Sequence, residues 1–281
     1  RVDVLAKDKH ENTLLHESYD NHQILQYLIS LNALDLNAKN DEGETVFLKS
    51  ASSFYVNTVQ YLASIPEIDI TVQNSGGKNA LHYLVSSDNL PLVTFLVNLN
   101  KIPLNQTDES KKTLLHYACE NRNTDLLKYL IKFDEIDLNS RDEDNETLLH
   151  VTTSYGYLES TRYLISLNKI DITAKDHKGK TILHNACKND NLELIQYLIS
   201  LDKLDINAKT EDNKTPLYFA IKNKKLPIIK YLTSLPGIDL NIKDKNNKTY
   251  LHLASETREN EPIMNYLLSL NQIQINAKDE N

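Results

Sequence analysis

The stretch that decides the fold is DHKGKTILHNACKNDNLELIQYLISLDKLDINAK, residues 176–209. Its Thr-x-Leu-His signature recurs along the 281-residue chain, in full or in degraded form. The copies begin at Thr13, Thr45, Asn79, Thr113, Thr147, Thr181, Thr215 and Thr249. The first interval is 32 residues and every later one is 34. A fixed period in this range is the sequence signature of a stacked repeat array.

Each unit of this array predicts two helices and an extended link. In the second half of the quoted stretch, Leu192, Ile195, Tyr197 and Leu198 recur at helical spacing. The first half predicts a shorter helix with a small residue, Ala186, on its packing side. The polar link, for example residues 207–214, should fold back as a hairpin-like finger.

The pattern Asp176-x-x-Gly179-x-Thr181-x-Leu183-His184-x-Ala186 and the helix after it resemble an ankyrin repeat, and the match covers essentially the whole chain. The resemblance implies an all-α solenoid of helix-turn-helix units joined by hairpin-like fingers. We expect a single domain over residues 1–281, and a fragment of a longer chain because neither end carries a polar capping repeat. The expected repeats are residues 8–39, 40–73, 74–107, 108–141, 142–175, 176–209, 210–243 and 244–278, with partial repeats at 1–7 and 279–281.

The residue two positions before the signature Thr predicts a left-handed turn. Gly or Asn stands there in six repeats, and both residue types tolerate a positive φ. They are Gly43, Gly77, Gly179, Asn145, Asn213 and Asn247. Glu11 and Lys111 break this rule, so we expect their fingers to be more strained or differently shaped.

Bulk composition restricts the class of protein. The net charge of -8 and the pI near 5.6 argue against a general nucleic-acid binder, which would be basic. No apolar run approaches the ~18 residues that a membrane span needs, so we expect none. Cys119 and Cys187 lie two repeats apart, about 20 Å in a helix stack, too far for a disulfide. Buried reduced thiols are consistent with a cytoplasmic location.

The signature histidines raise the possibility of a metal site, which their spacing disfavours. They are His16, His82, His116, His150, His184 and His252. Stacking places consecutive ones about 10 Å apart, too far to share one ion at Zn–N distances of about 2.0–2.1 Å. We therefore expect no metal, and we expect each imidazole to join neighbouring turns by hydrogen bonds.

Two further patterns could suggest chemistry but favour structure. A tyrosine stripe in the second helices predicts half-buried packing rather than a base-stacking platform; it comprises Tyr27, Tyr61, Tyr129, Tyr163, Tyr197, Tyr231 and Tyr266. Acid pairs such as Glu143-Asp144 lie on solvated fingers with nothing to perturb their pKa values. The chain contains no phosphate loop, Cys-x-x-Cys or nucleophile elbow, so we expect no enzyme and no cofactor.

The resemblance implies that partners bind in a concave groove lined by finger tips and the solvent side of the first helices. By position, the groove residues are Glu109, Lys112, Glu120, Asn121, Glu143, Glu146, Ser154, Tyr155, Lys178, Lys180, Lys188, Asn189, Lys214, Lys222, Asn223 and Lys248. Tyr155 is the expected aromatic anchor, because tyrosine is enriched in binding hot spots.

Charge along these positions is uneven. Repeats two and five present mainly acids, whereas repeats six and eight present mainly bases. We hypothesise a partner with an acidic segment over repeats six to eight and a more basic one over repeat five. Ordinary solubilising charge remains the alternative.

The function favoured by these patterns is a non-catalytic protein–protein interaction scaffold that binds a protein or peptide as a monomer. Two alternatives remain open. One is the recognition or targeting module of a larger signalling enzyme or effector. The other is an elastic structural spacer without a specific ligand.

Overall fold

The computed structural model describes residues 4–256 and 258–274, with the backbone alone at Arg258. The regular elements in this part of the chain are all helical, sixteen α-helices and one 3-10 turn at Arg258–Asn260, and it contains no strand. The predicted all-α fold is therefore confirmed. Residues 1–3, 257 and 275–281, which include most of the predicted terminal partial repeats, lie outside the described residues.

The chain divides into two compact units, Arg1–Asp137 and Leu138–Asn281. The expectation of a single domain stays a prediction. The helices of the first unit are α1 Leu14–Glu17, α2 His22–Ser30, α3 Val46–Ser52, α4 Val56–Ala63, α5 Ala80–Ser86, α6 Leu90–Asn98, α7 Leu114–Glu120 and α8 Asp125–Leu130. Those of the second unit are α9 Leu148–Tyr155, α10 Leu158–Ser166, α11 Ile182–Ala186, α12 Leu192–Ser200, α13 Pro216–Lys222, α14 Leu226–Thr233, α15 Tyr250–Ser255 and α16 Glu261–Leu268.

The signature Thr, or Asn79 in repeat three, is the N-cap of each first helix. Thr147 has an extended backbone (φ -90°, ψ 169°), and its hydroxyl accepts the N–H of His150. Pro216 is the first residue of α13, where its missing N–H costs nothing. Several second helices start at an Asn cap instead, as when Asn191 accepts the N–H of Leu194 at 3.0 Å.

The core of each unit lies between successive first helices and between the two helices of each repeat. In the first unit α3 packs on α5 and α5 on α7; in the second, α9, α11, α13 and α15 pack in that order. The apolar residue of the signature is fully buried in both, as Phe47, Leu81, Leu149, Leu183 and Leu217 show. Small residues on the packing side are buried as predicted, among them Ala118, Ala186 and Ala220.

The left-handed finger turn is confirmed at the glycines and asparagines, with φ between 57° and 75°. Glu11 and Lys111 adopt the same turn, with φ of 60° and 59°. The N–H of Lys111 bonds the carbonyl of Asp108 at 3.0 Å, just as Gly179 bonds Asp176 at 3.1 Å. The prediction that these two fingers differ in shape was wrong, because the surrounding hydrogen bonds impose the turn on any residue. A side chain there still carries the steric cost of the left-handed region.

Asparagines in the links join consecutive repeats. Asn207 Nδ2 donates to the carbonyl of Gly237 at 2.7 Å, and its Oδ1 accepts the N–H of Asp239 at 3.0 Å. Asn37 does the same with the carbonyl of Glu67 and the N–H of Asp69. One amide therefore satisfies both a donor and an acceptor of the next link.

Candidate protein-binding surface

The signature histidines are structural. His184 Nδ1 accepts the N–H of Thr181 at 3.0 Å, and its Nε2 lies 3.1 Å from the carbonyl of Lys214 in the next repeat. His16 and His150 make the equivalent bonds to Glu44 and Lys180, so the hydrogen-bonding prediction is confirmed for these three histidines. Nε2 of His82 is buried and makes no hydrogen bond to any described residue, so the prediction does not hold there. Burial lowers the pKa of His184 to about 4 and keeps it neutral. Within residues 4–256 and 258–274, no cluster of three potential metal ligands occurs.

The cysteines and the tyrosine stripe belong largely to the packed interior. Cys119 and Cys187 are free and buried, and burial raises the pKa of both thiols. Six of the seven stripe tyrosines are half-buried, as predicted. Tyr27 is the exception, with 65% of its surface exposed.

Finger tips of the second unit form a continuous row. The N–H of His177 bonds the carbonyl of Asp144 at 2.9 Å, and that of Glu211 bonds Lys178 at 3.0 Å. Asp176, at the start of its repeat, accepts the N–H groups of Lys178 and Lys180, both at 2.8 Å, and so closes the tip. The predicted tip residues Glu143 and Lys178 are exposed along this row. Glu109, at a tip of the first unit, is also exposed.

In repeats four and eight, two predicted positions lie side by side, the one before the signature Thr and the seventh after it. In repeat four, Lys112 and Glu120 form an ion pair at 2.6 Å. In repeat eight, Lys248 pairs with Glu256 at 3.1 Å. These lysines therefore have a carboxylate of their own repeat beside them.

Repeats six and seven replace this ion pair with two lysines. Lys180 and Lys188 occupy the two positions in repeat six, and their ammonium nitrogens lie 5.9 and 5.7 Å from the centre of the Phe219 ring. Burial first, and then Lys180, lowers the pKa of Lys188. Its ammonium donates to Oδ1 of Asn185 at 3.0 Å and has no ion-pair partner among the described residues. Two lysines therefore lie close together in repeat six, at the positions where repeats four and eight have a lysine–glutamate ion pair.

The second such pair, Lys214 and Lys222 in repeat seven, borders a depression of about 270 Å³. Its floor includes Tyr218 and Phe219, whose rings meet edge to face with centres 5.6 Å apart. The Lys214 ammonium lies 5.5 Å from the centre of the Tyr218 ring. Both aromatics were missed in the sequence, because they stand three and four residues after Thr215 and the predicted groove positions do not include these. The replacement of the signature histidine by Tyr218 was the one feature of the sequence that could have indicated a different surface in this repeat.

The comparison with protein families agrees with this architecture. The model described as "Ankyrin repeats (3 copies)" matches residues 14–108, 81–176, 167–244 and 183–279. The chain belongs to the ankyrin repeat family. Ankyrin repeats are generally protein–protein interaction modules and typically non-catalytic. No curated protein matches the chain. Among the residues that the structure describes, no helix is long and apolar enough to cross a membrane.

The remaining predicted groove residues of these ankyrin repeats divide between bridging and exposed roles. Asn121 donates to the carbonyl of Val85 at 2.6 Å, and Asn189 donates to that of Ser154 at 2.8 Å. Glu146 is half-buried and accepts a bond from Asn185 at 3.4 Å. Such amides hold adjacent repeats together, so we expect them to contribute less to a partner than the lysines do.

The most exposed side chains of the predicted set in the second unit include Tyr155, Lys222 and Asn223. Tyr155 is 50% exposed at the end of α9, and its ring stacks on Tyr157 with 5.5 Å between centres. Asn223 donates to the carbonyl of Phe219 at 2.8 Å, which caps its own helix. Tyr155 thus presents a supported aromatic face to solvent.

Proposed function

We propose that this chain is a non-catalytic protein-interaction module whose partner binds along the groove side of the second unit. The groove comprises the finger tips and the exposed side of the first helices. The observation that carries the proposal is the excess of lysine in repeats six and seven, which comprises Lys178, Lys180, Lys188, Lys214 and Lys222. Among the described residues, only two of these lysines form ion pairs, Lys180 with Asp176 and Lys214 with Asp212.

The charge of this set favours an acidic segment of the partner. Lys178 and Lys222 are exposed and have no ion-pair partner in the described part of the chain. Single exposed ion pairs contribute only about 0–1 kcal/mol. Several like charges on one face add a field that accelerates association with an oppositely charged partner.

The size of the surface is sufficient for a specific complex. Five predicted positions in each of repeats five to eight give about twenty residues, the lower end of a standard interface. One of them, Thr257, lies outside the described residues. Tyr155 is the aromatic anchor of this surface in the proposal, because its exposed ring is already oriented by Tyr157.

The test is affinity purification followed by a binding measurement on each captured protein. The groove variant carries Tyr155→Ala, Lys178→Glu and Lys222→Glu. These exposed side chains can change with little effect on folding. A matched control carries Tyr27→Ala, Lys175→Glu and Lys203→Glu, the same changes at exposed positions outside the groove.

We expect a partner that binds the parent and the matched control and loses at least tenfold in affinity for the groove variant, an effect of about 1.4 kcal/mol. Equal affinity for all three proteins would refute the groove. A complete lack of partners would favour the elastic spacer. Capture together with a catalytic chain would favour the recognition module of a larger enzyme. Monomeric state and cytoplasmic location stay predictions.

A further inference from the structure

In repeats four and eight, the lysine that precedes the signature Thr is paired with a glutamate of the same repeat. Glu120 and Glu256 place a carboxylate oxygen 2.6 and 3.1 Å from the ammonium groups of Lys112 and Lys248. The same position carries Lys188 in repeat six and Lys222 in repeat seven. The chain therefore supplies the anion in two repeats and a second cation in two others.

Carboxylates near the lysine pairs are largely occupied. Asp212 lies 3.0 Å from the ammonium of Lys214 and 4.0 Å from that of Lys245. Asp176 bonds two backbone N–H groups through one oxygen, and its other oxygen lies 3.9 Å from Lys180. Lys188 and Lys222 form no ion pair among the described residues, and the more distant carboxylates of Glu146 and Asp176 compensate Lys188 only in part.

The depression beside Lys222 has an excess of positive charge. Four lysines and two carboxylates line it, which leaves two uncompensated cations. Its volume of about 270 Å³ is just below the range of about 300–1,000 Å³ for small-molecule pockets. It therefore suits one side chain of a partner rather than a whole ligand.

A phosphorylated side chain fits this charge better than one carboxylate does. Phosphoserine carries a charge of about −1.5 to −2 and three acceptor oxygens, enough to bond two ammonium groups at once. A single glutamate balances one lysine, as Glu120 does for Lys112. Desolvation also favours an anion at Lys188, because its charge is half-buried and the carboxylates of Glu146 and Asp176 offset only part of the effect of burial on its pKa.

The two lysine pairs belong to consecutive repeats, which sets a spacing. Helices of stacked repeats lie about 8–10 Å apart. An extended peptide advances about 3.3–3.6 Å per residue, so it covers one repeat in about three residues. If two anionic residues of one extended segment are three residues apart, one can reach the lysine pair of repeat six while the other reaches that of repeat seven.

We propose that the Lys180–Lys188 and Lys214–Lys222 pairs bind two phosphorylated side chains, three residues apart, in an extended segment of the partner. This inference rests on the proposed groove function and makes the interaction dependent on phosphorylation of the partner. Each phosphate supplies the negative charge that Glu120 and Glu256 supply in their own repeats.

The experiment uses fluorescein-labelled nine-residue peptides with identical Ala, Gly and Asp flanks. Their two variable residues are phosphoserine, serine or glutamate at a spacing of three, or phosphoserine at a spacing of one. Affinity is measured by fluorescence anisotropy with the full chain at low salt. We expect the phosphoserine peptide at a spacing of three to bind roughly tenfold more tightly than the glutamate peptide, because phosphate carries about twice the charge.

The decisive variant is Lys188→Glu with Lys222→Glu, which recreates the lysine–glutamate pair of repeats four and eight. It should keep the thermal stability of the parent and lose the phosphopeptide. The charge-matched control, Lys175→Glu with Lys203→Glu, should retain most of the binding. Glu256→Lys should strengthen binding of a peptide with a third phosphoserine after three more residues.

Several results would overturn the inference. Equal affinity for the glutamate and phosphoserine peptides would refute the dependence on phosphate, although it would still agree with an acidic partner segment. Equal losses in the two double variants would show a general charge effect. Absence of binding by every peptide, while the groove variant still loses its captured partner, would refute this inference alone.

Discussion

Acidification should destabilise the fold through its signature histidines. His184 accepts the N–H of Thr181 at Nδ1, 3.0 Å away, so Nδ1 must lack a proton. Its other ring nitrogen lies 3.1 Å from the carbonyl of Lys214 and therefore carries the hydrogen. A protonated imidazole would point a second donor at the N–H of Thr181 and would place a buried charge between two repeats.

The magnitude follows from the two pKa values. Burial lowers the pKa of His184 from 6.5 to about 4 in the folded chain, whereas the unfolded chain keeps the higher value. Between these values the unfolded state binds more protons, so the free energy of unfolding falls as the pH falls. The contribution is fully present above pH 6.5 and is lost on acidification towards pH 4. It amounts to about 2 kcal/mol between pH 7.5 and 5.0. His82, whose pKa is also lowered to about 4, adds a similar amount.

Urea denaturation at pH 7.5 and 5.0 measures this loss, and NMR titration of the imidazole protons measures the pKa of His184 directly. His184→Gln should be less stable at pH 7.5 but should lose about 2 kcal/mol less than the parent on acidification. His177→Gln is the matched control, since this exposed finger-tip residue takes no part in the buried bonds, and it should keep the pH dependence of the parent. A His184 resonance that titrates near 6.5 in the folded chain, or unchanged pH dependence in His184→Gln, would refute the reasoning.

Two substitutions test the turns and links by urea denaturation. Lys111→Gly should stabilise the chain by about 0.5–1 kcal/mol. Glycine removes the steric cost of φ 59°, and the larger conformational entropy that glycine loses on folding offsets part of this gain. A loss of stability would contradict the strain at this turn. Asn207→Ala should cost about 1–2 kcal/mol, because it breaks the bonds to Gly237 and Asp239. Asn246→Ala, at an exposed tip, should be nearly neutral, and an equal effect of both changes would show that the bridging amide contributes nothing.

The fold was largely predictable because each repeat encodes it locally. The Thr caps and the apolar spacing each involve residues of a single repeat, and the 34-residue period shows the same features again in the next one. His184 could be recognised as a bridging residue since the same residue type recurs at one position of the period. The turns at Glu11 and Lys111 were predicted less well, because residue type alone does not reveal the hydrogen bonds that impose the left-handed conformation.

The binding surface was predicted by position but not by role. Asn121 and Asn189 appeared equivalent to the lysines in the pattern, yet their amides bond the preceding repeat. Tyr218 and Phe219 were missed, although they form the floor between the lysine pairs. Such distinctions depend on which atoms meet across residues about 34 apart in sequence, and a residue pattern carries no distances.

The sequence by itself determined the repeat, the helix starts and the buried face, because these follow from local propensity and from a period that recurs with every unit. Tertiary structure alone decided which polar side chains face solvent and which bond a neighbouring repeat. It also brought Lys180 and Lys188 to the same ring, where two positive charges have a single ion-pair partner among the described residues, Asp176. The physical reason is that burial and Coulomb interactions depend on separation in space, and stacking the repeats sets that separation.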